Sequence, residues 1–323
     1  MKKVFILTCT ALICTNLFAA KPKNTKLCNA IEKGDVEGVK KELAAHPEDV
    51  NKIGAFYDSP MAKAASRGNL EIIELLLDAG GEIDSRTLSY AKNKKNYEVF
   101  TFFYDRSLID DSQYLSGISG IFKEETLSFD EKLEKIKEVT KGNLITPKFL
   151  FYVSPEEYTQ TVSFFNIDLE KPIDKYGTTI LQFACDNFKL ELVTYLIEKV
   201  NINAVNNNGE NALFFACTAY GPMIDAENPV IEDETTAKIK FISDMPYYSN
   251  AKEVQMKQLQ IVQMLLNKKI NINAQDKFGW TVLHYASAFY PDGLQELLIN
   301  SGANTSLKTN FGRTAADIKA LRK

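Results

Sequence analysis

Histidine, tryptophan and cysteine are scarce in this chain: two, one and five among 323 residues. His46 and His284 are too few for a histidine-rich zinc site. No Cys-x-x-Cys, His-Glu-x-x-His, phosphate-cradling glycine loop or Gly-x-Ser-x-Gly elbow occurs either. The sequence therefore offers no catalytic residues, no metal ligands and no cofactor site, and it does not read as an enzyme. Glu232-Asp233-Glu234 lacks the spaced oxygen ligands of a calcium loop and reads as a solvated charge run. A basic excess is also missing. The net charge is −4, which argues against nucleic acid as a partner.

Long apolar runs are absent beyond the N-terminus. Residues 1–20, MKKVFILTCTALICTNLFAA, have a basic start, an apolar stretch and small residues at the end, the layout of a secretory signal peptide. Cleavage after Ala20 or Ala19 leaves Phe18 or Leu17 where a small side chain is preferred, so an uncleaved membrane anchor is the alternative. Ile13 before Cys14 disfavours lipid attachment. The expected location is the periplasm or outside the cell. Removing residues 1–20 would leave Cys28, Cys185 and Cys217, too sparse for a disulfide framework. Cys185 and Cys217 read as small buried side chains on neighbouring helices.

What is present is ordinary globular composition, 45% hydrophobic and 25% charged, arranged in an internal repeat. DKYGTTILQFAC from Asp174, NNNGENALFFAC from Asn206 and DKFGWTVLHYAS from Asp276 share a glycine, a leucine four residues later and an alanine three further on. YDSPMAKAA from Tyr57 is a fainter copy. Each is followed by an apolar stripe at helical spacing, as in NLEIIELLLDAGG and QLQIVQMLLNKK, so each unit should be two amphipathic helices that bury their stripes only by stacking. With Thr281, Leu283, His284 and Ala286, then Ser301-Gly302-Ala303-Asn304, and with Ser59-Pro60-Met61 and Leu75-Leu76-Leu77-Asp78-Ala79-Gly80, the chain resembles the ankyrin-repeat family.

The resemblance implies an all-α, ankyrin-type helical repeat solenoid with short β-hairpin fingers and degenerate central repeats, forming one continuous domain after the signal segment. The expected organisation is a signal peptide (1–20), an N-terminal capping pair (21–50), ankyrin-like repeats (51–110) and degenerate helical repeats (111–173). Ankyrin repeats then occupy 174–323, interrupted by an insertion at about 221–256. A hairpin is expected to be missing near residue 85, because Leu88 and Ala91 follow Met61 and Ala64 at only 27 residues. The insertion reads either as a mobile loop or as a binding element. Lys269, standing where Gly80 and Gly302 end their helices, should be slightly strained.

Stacked repeats make an extended surface without pocket chemistry, so the expected function is reversible binding of another protein by a monomer. One alternative is a separate ligand-binding or catalytic module made of 100–173 and the insertion; another is a membrane-tethered scaffold. Tyr176, Phe278 and Phe311 precede the tip glycines and Trp280 follows one, so these four are the expected partner-binding residues, exposed at the fingertips. The competing reading is that neighbouring fingers cover these rings. His284 takes the place of Gln182 and Phe214 in sister units, so no chemistry is common to the position and its role is structural. The resemblance implies that its ring hydrogen-bonds backbone at the helix start.

Overall fold

A computed structural model describes residues 24–55, 58–141, 145–217, 252–289 and 292–321. The segment read as an export signal and residues 221–251 of the expected insertion lie outside the described residues. The chain divides into two compact units, Met1–Leu144 and Ile145–Lys323. Among the described residues regular structure is helical and no strand occurs.

In the first unit, helices α1 (Lys26–Lys33) and α2 (Val36–Ala45), α3 (Pro60–Arg67) and α4 (Leu70–Asp78), and α5 (Ser85–Asn93) and α6 (Tyr97–Asp105) form successive pairs. They are followed by α7 (Asp111–Ile118), a 3₁₀ turn at Ser119–Lys123 and α8 (Phe129–Thr140). First helices stack in the order α1, α3, α5, α7; α2 packs on α4 and α6 on α8. Ala62, Ala64, Ala65 and Ala91 are fully buried and keep the first helices close. Ile72, Ile73 and Leu76 on α4 are equally buried, each contributing about 1.5–3 kcal/mol of transfer free energy. Gly117 lets α7 meet Phe100, since a Cβ there would stand 2.1 Å from the ring. The pair-to-pair links 79–84 and 106–110 are short and carry no finger, so the missing hairpin is real and extends one repeat further than the spacing indicated.

In the second unit, α9 (Tyr158–Phe165) is a second helix whose first helix is reduced to 3₁₀ turns at Pro147–Tyr152 and Pro155–Glu157. The aromatic and β-branched run Phe149-Leu150-Phe151-Tyr152-Val153 is a poor α-helix former, and Pro155 blocks its continuation. Helices α10 (Ile180–Asp186), α11 (Leu190–Leu196), α12 (Ala212–Cys217), α13 (Lys252–Asn267), α14 (Val282–Phe289), α15 (Asp292–Asn300) and α16 (Ala315–Ala320) complete it. First helices α10, α12, α14 and α16 stack in order, and α11 packs on α13. Helix α13 begins six residues before Gln258, so the C-terminal end of the expected insertion is helical extension. Lys269 has φ +58°, the left-handed conformation that costs a non-glycine residue about 1–2 kcal/mol.

Candidate partner-binding surface

Four finger turns lie between the helical pairs of the second unit, and one short polar side chain organises each. Asp174 Oδ1 accepts the N–H groups of Tyr176 and Thr178 at 2.9 and 3.0 Å. Asn206 Oδ1 does so for Asn208 and Glu210, and Asp276 Oδ1 for Phe278 and Trp280. Thr309 Oγ1 accepts longer bonds from Phe311 and Arg313. These are Asx-type turns, in which a side-chain oxygen substitutes for a backbone carbonyl. Glycine follows at the tip. Gly279 is required twice over: its φ is +76°, and a Cβ would stand 2.8 Å from the backbone nitrogen of Asn310 in the next finger.

Neighbouring fingers are hydrogen-bonded tip to tip. Asn207 N–H donates to Tyr176 C=O at 2.9 Å, Lys277 N–H to Asn208 C=O at 2.7 Å and Asn310 N–H to Phe278 C=O at 2.9 Å. A second ladder runs behind the first. Asn201 and Asn271 hold the N–H two residues on, while Glu170, Asn203 and Asn273 reach forward to the N–H of Asn201, Asn271 and Asn304 in the following repeat, at 2.7, 2.7 and 2.8 Å. The recurrence of Asn-Ile-Asn-Ala at 201–204 and 271–274 is the sequence signal for this ladder.

His284 is a fixture of the same scaffold. Its Nδ1 accepts the Thr281 N–H at 3.0 Å, so Nε2 carries the proton and donates to the Arg313 carbonyl of the next finger at 3.2 Å. Gln182 makes the equivalent pair, accepting from Thr179 N–H at 2.9 Å and donating to the Glu210 carbonyl at 2.9 Å. The structural role stands, but the chemistry of the position is shared between an imidazole and an amide, which the side-chain identities alone concealed. An amide oxygen and nitrogen reproduce the acceptor and donor of a neutral imidazole.

The expected site residues separate into two kinds. Tyr176 and Phe311 are exposed at the tips, 52% and 51%, and Phe278 is half-buried. Trp280 is not exposed: it is 1% accessible, which corrects the expectation for that residue. The residue after the tip glycine turns back toward the helices, and there the indole packs on Tyr285 at 5.0 Å and beside His284 at 6.1 Å. Tyr285 in turn donates to Asp276 Oδ2 at 2.7 Å. Burial first, then the Asp276 carboxylate, raise its hydroxyl well above the usual tyrosine range, so it stays a donor. At the tips, Lys175 Nζ lies 5.1 Å over the Tyr176 ring and Lys277 Nζ 5.1 Å over Phe278.

Two ankyrin-repeat family models match the chain, one described as many copies over residues 254–289 and one as three copies over 150–225. The chain is an ankyrin-repeat protein. The second match includes the degenerate stretch from residue 150. A probable 26S proteasome regulatory subunit p28 of Saccharomyces cerevisiae is 28% identical over 158 residues, 47% of this chain and 68% of the yeast protein. A putative ankyrin repeat protein of Rickettsia bellii is 26% identical over 113 residues, 32% of this chain and 66% of the rickettsial one. Ankyrin repeats imply a protein–protein interaction module.

Other chemistry in the ankyrin stack is turned inward. The Cys185 and Cys217 thiols are buried and free, and burial pushes Cys217 up to about 12 and Cys185 higher still, which suppresses the reactive thiolate. Among the described residues no group of three His, Cys, Asp or Glu side chains is placed to hold a metal ion. In the first unit, the buried Lys63 on α3 bonds Glu32 on α1 at 2.6 Å and stands 3.8 Å from Asp58, which also accepts the Tyr90 hydroxyl from α5 at 2.7 Å. This polar bridge across three repeats was not foreseen; Lys63 in a small-residue helix was its one sequence signal.

Proposed function

We infer that this protein binds another protein through the finger face of its second unit, in the periplasm or outside the cell, and that it works by holding that partner rather than by catalysis. The observation that carries this reading is the exposure of Tyr176 and Phe311 on fingers whose backbones are tied into a continuous ladder. Large rings on a rigid platform lose little entropy on binding, which is the character of interface hot spots. The yeast relative is named as a regulatory subunit of a larger assembly, a role of the same class.

Residues 100–173 do not support a separate module. Their first part forms α6, α7 and α8 within the first unit, with α7 stacked on α5; in the second unit the 3₁₀ turn at Pro155–Glu157 packs on α11. Export rests on the N-terminal segment. Fractionation of the native source with N-terminal sequencing of the mature chain checks it: recovery in the cytoplasm with Met1 retained would remove the location, and recovery in the membrane with Met1 retained would make the protein a tethered scaffold. The binding test is affinity capture with wild type and with Tyr176→Ala/Phe311→Ala. A partner recovered by wild type and lost at unchanged Tm supports the finger face; a partner retained by the variant places binding elsewhere.

A further inference from the structure

We propose that the finger face takes an extended acidic segment of the partner, read at one contact per finger. This rests on the finger face being the protein-binding surface and names the chemistry that it selects. The tip-to-tip bonds put the four fingers in one fixed register. Each finger contributes two chain passes about 4.8 Å apart, so equivalent positions recur roughly every 10 Å, a distance that an extended chain covers in about three residues.

The equivalent positions are not equivalent in charge. Before the tip glycines stand Lys175-Tyr176, Asn207-Asn208, Lys277-Phe278 and Asn310-Phe311. Cations occupy the first and third fingers, rings the first, third and fourth. The acids of the second and third fingers are buried, and the exposed Asp174 of the first is engaged by backbone. Asp174 Oδ1 is held by two backbone N–H groups, the Asp276 carboxylate is buried under two N–H groups and the Tyr285 hydroxyl, and Glu210 is buried against Asn206. Lys175 and Lys277 are exposed, and neither has a carboxylate within ion-pair distance among the described residues.

The third finger therefore presents its cation outward and its acid inward, and the first adds an exposed Lys175 beside the backbone-engaged Asp174, on a chain whose net charge is −4. A ligand that matches it carries carboxylates about six residues apart, with apolar side chains between them for Tyr176, Phe278, Phe311 and the exposed Val205. The cations are paired with rings rather than massed, which favours a peptide with both acidic and apolar side chains over a polyanion.

The test uses fluorescence polarisation on the full chain with labelled peptides of about twelve residues, one repeating Glu-Leu-Ser and one repeating Lys-Leu-Ser, and with a single-stranded oligothymidylate. Wild type should bind the Glu-Leu-Ser peptide, more weakly as salt rises past physiological strength, and should ignore the Lys-Leu-Ser peptide. Lys175→Gln/Lys277→Gln should weaken it at least about tenfold, about 1.4 kcal/mol, at unchanged Tm; Lys175→Glu/Lys277→Glu should abolish it. Equal binding of the two peptides, no binding of the acidic one, or indifference to the lysine variants overturns the proposal. Tighter binding of the oligothymidylate would make the face a nucleic-acid site. Sedimentation showing a wild-type dimer that the glutamate variant dissolves would make the occupant a second copy. If a captured partner is lost from Tyr176→Ala/Phe311→Ala but kept by the lysine variants, the protein-binding reading survives and the acidic preference does not.

Discussion

From α4 to α8, short links without fingers leave helical pairs to hold one another by their side chains; from α9 to α16, long links fold into fingers and hold one another by their backbones. The first region concentrates its cohesion in a few large groups. Phe100 and Phe103 are fully buried, Tyr104 stacks on Tyr114 at 4.2 Å, and Glu124 draws in Lys135 at 2.8 Å. Each of α5, α7 and α8 is closed by a capping box. The second region distributes its cohesion over many modest bonds that recur with the repeat. A repeat that loses its finger must replace a series of hydrogen bonds with volume, and the aromatic run Tyr97–Tyr104 is that replacement.

The comparison is broken most forcefully by truncating one anchor in each region. Phe103→Ala and Trp280→Ala should each cost about 3–5 kcal/mol by chemical unfolding followed by circular dichroism. Trp280 is the place where a finger meets the core, so a cost within 1 kcal/mol of zero there would mean that the fingers are held by backbone alone.

A smaller loss is expected at the polar bridge. Lys63→Met should cost about 2 kcal/mol at neutral pH, less than a fully buried pair because Glu32 remains partly exposed. The Lys63 hydrogen bond, outweighing burial, holds the Glu32 carboxyl below its usual value near 4.5. Its stabilisation is therefore complete above that value and is lost as pH falls through the depressed one. The gap between wild type and variant should narrow from pH 7 toward pH 3; a gap independent of pH would show that Lys63 acts through packing.

Within the finger region, Asn273→Ala removes one rung of the rear ladder and should cost about 1 kcal/mol, read as a shifted urea midpoint at constant slope. Lys269→Gly should move stability the other way by about 1 kcal/mol, relieving its positive φ; a loss at that position would mean that its side chain carries a contact worth more than the strain. The smallest effect belongs to His284→Gln, expected within about 0.5 kcal/mol of wild type because Gln182 already makes the same two bonds.

The helical pairs and tip glycines were legible because leucine, alanine and glycine recur at fixed spacing, and spacing is what a stack imposes. The direction of Trp280 was not legible: position after a glycine says that a residue is in a finger, while the route of the chain back toward Tyr285 decides whether it faces solvent. The equivalence of Gln182 and His284 was hidden for another reason. The fold selects an acceptor and a donor a ring's width apart, and two unlike letters satisfy it. The 3₁₀ start of the repeat at Pro147 likewise depends on aromatic packing, with Phe149 and Leu150 fully buried, which periodicity does not encode.

The rear ladder also measures the chain. Its rungs join residues 31 apart at Glu170–Asn201 and Asn273–Asn304, but 68 apart at Asn203–Asn271, with the bond to Asn271 no longer than the others. The scaffold counts repeats and is indifferent to residues: α12 ends at Cys217, α13 begins at Lys252, and the next rung forms in register. Length at that junction is a free variable, since closure entropy grows only slowly with the number of residues joined. It is a port through which lineage or engineer can lodge new sequence in an intact array.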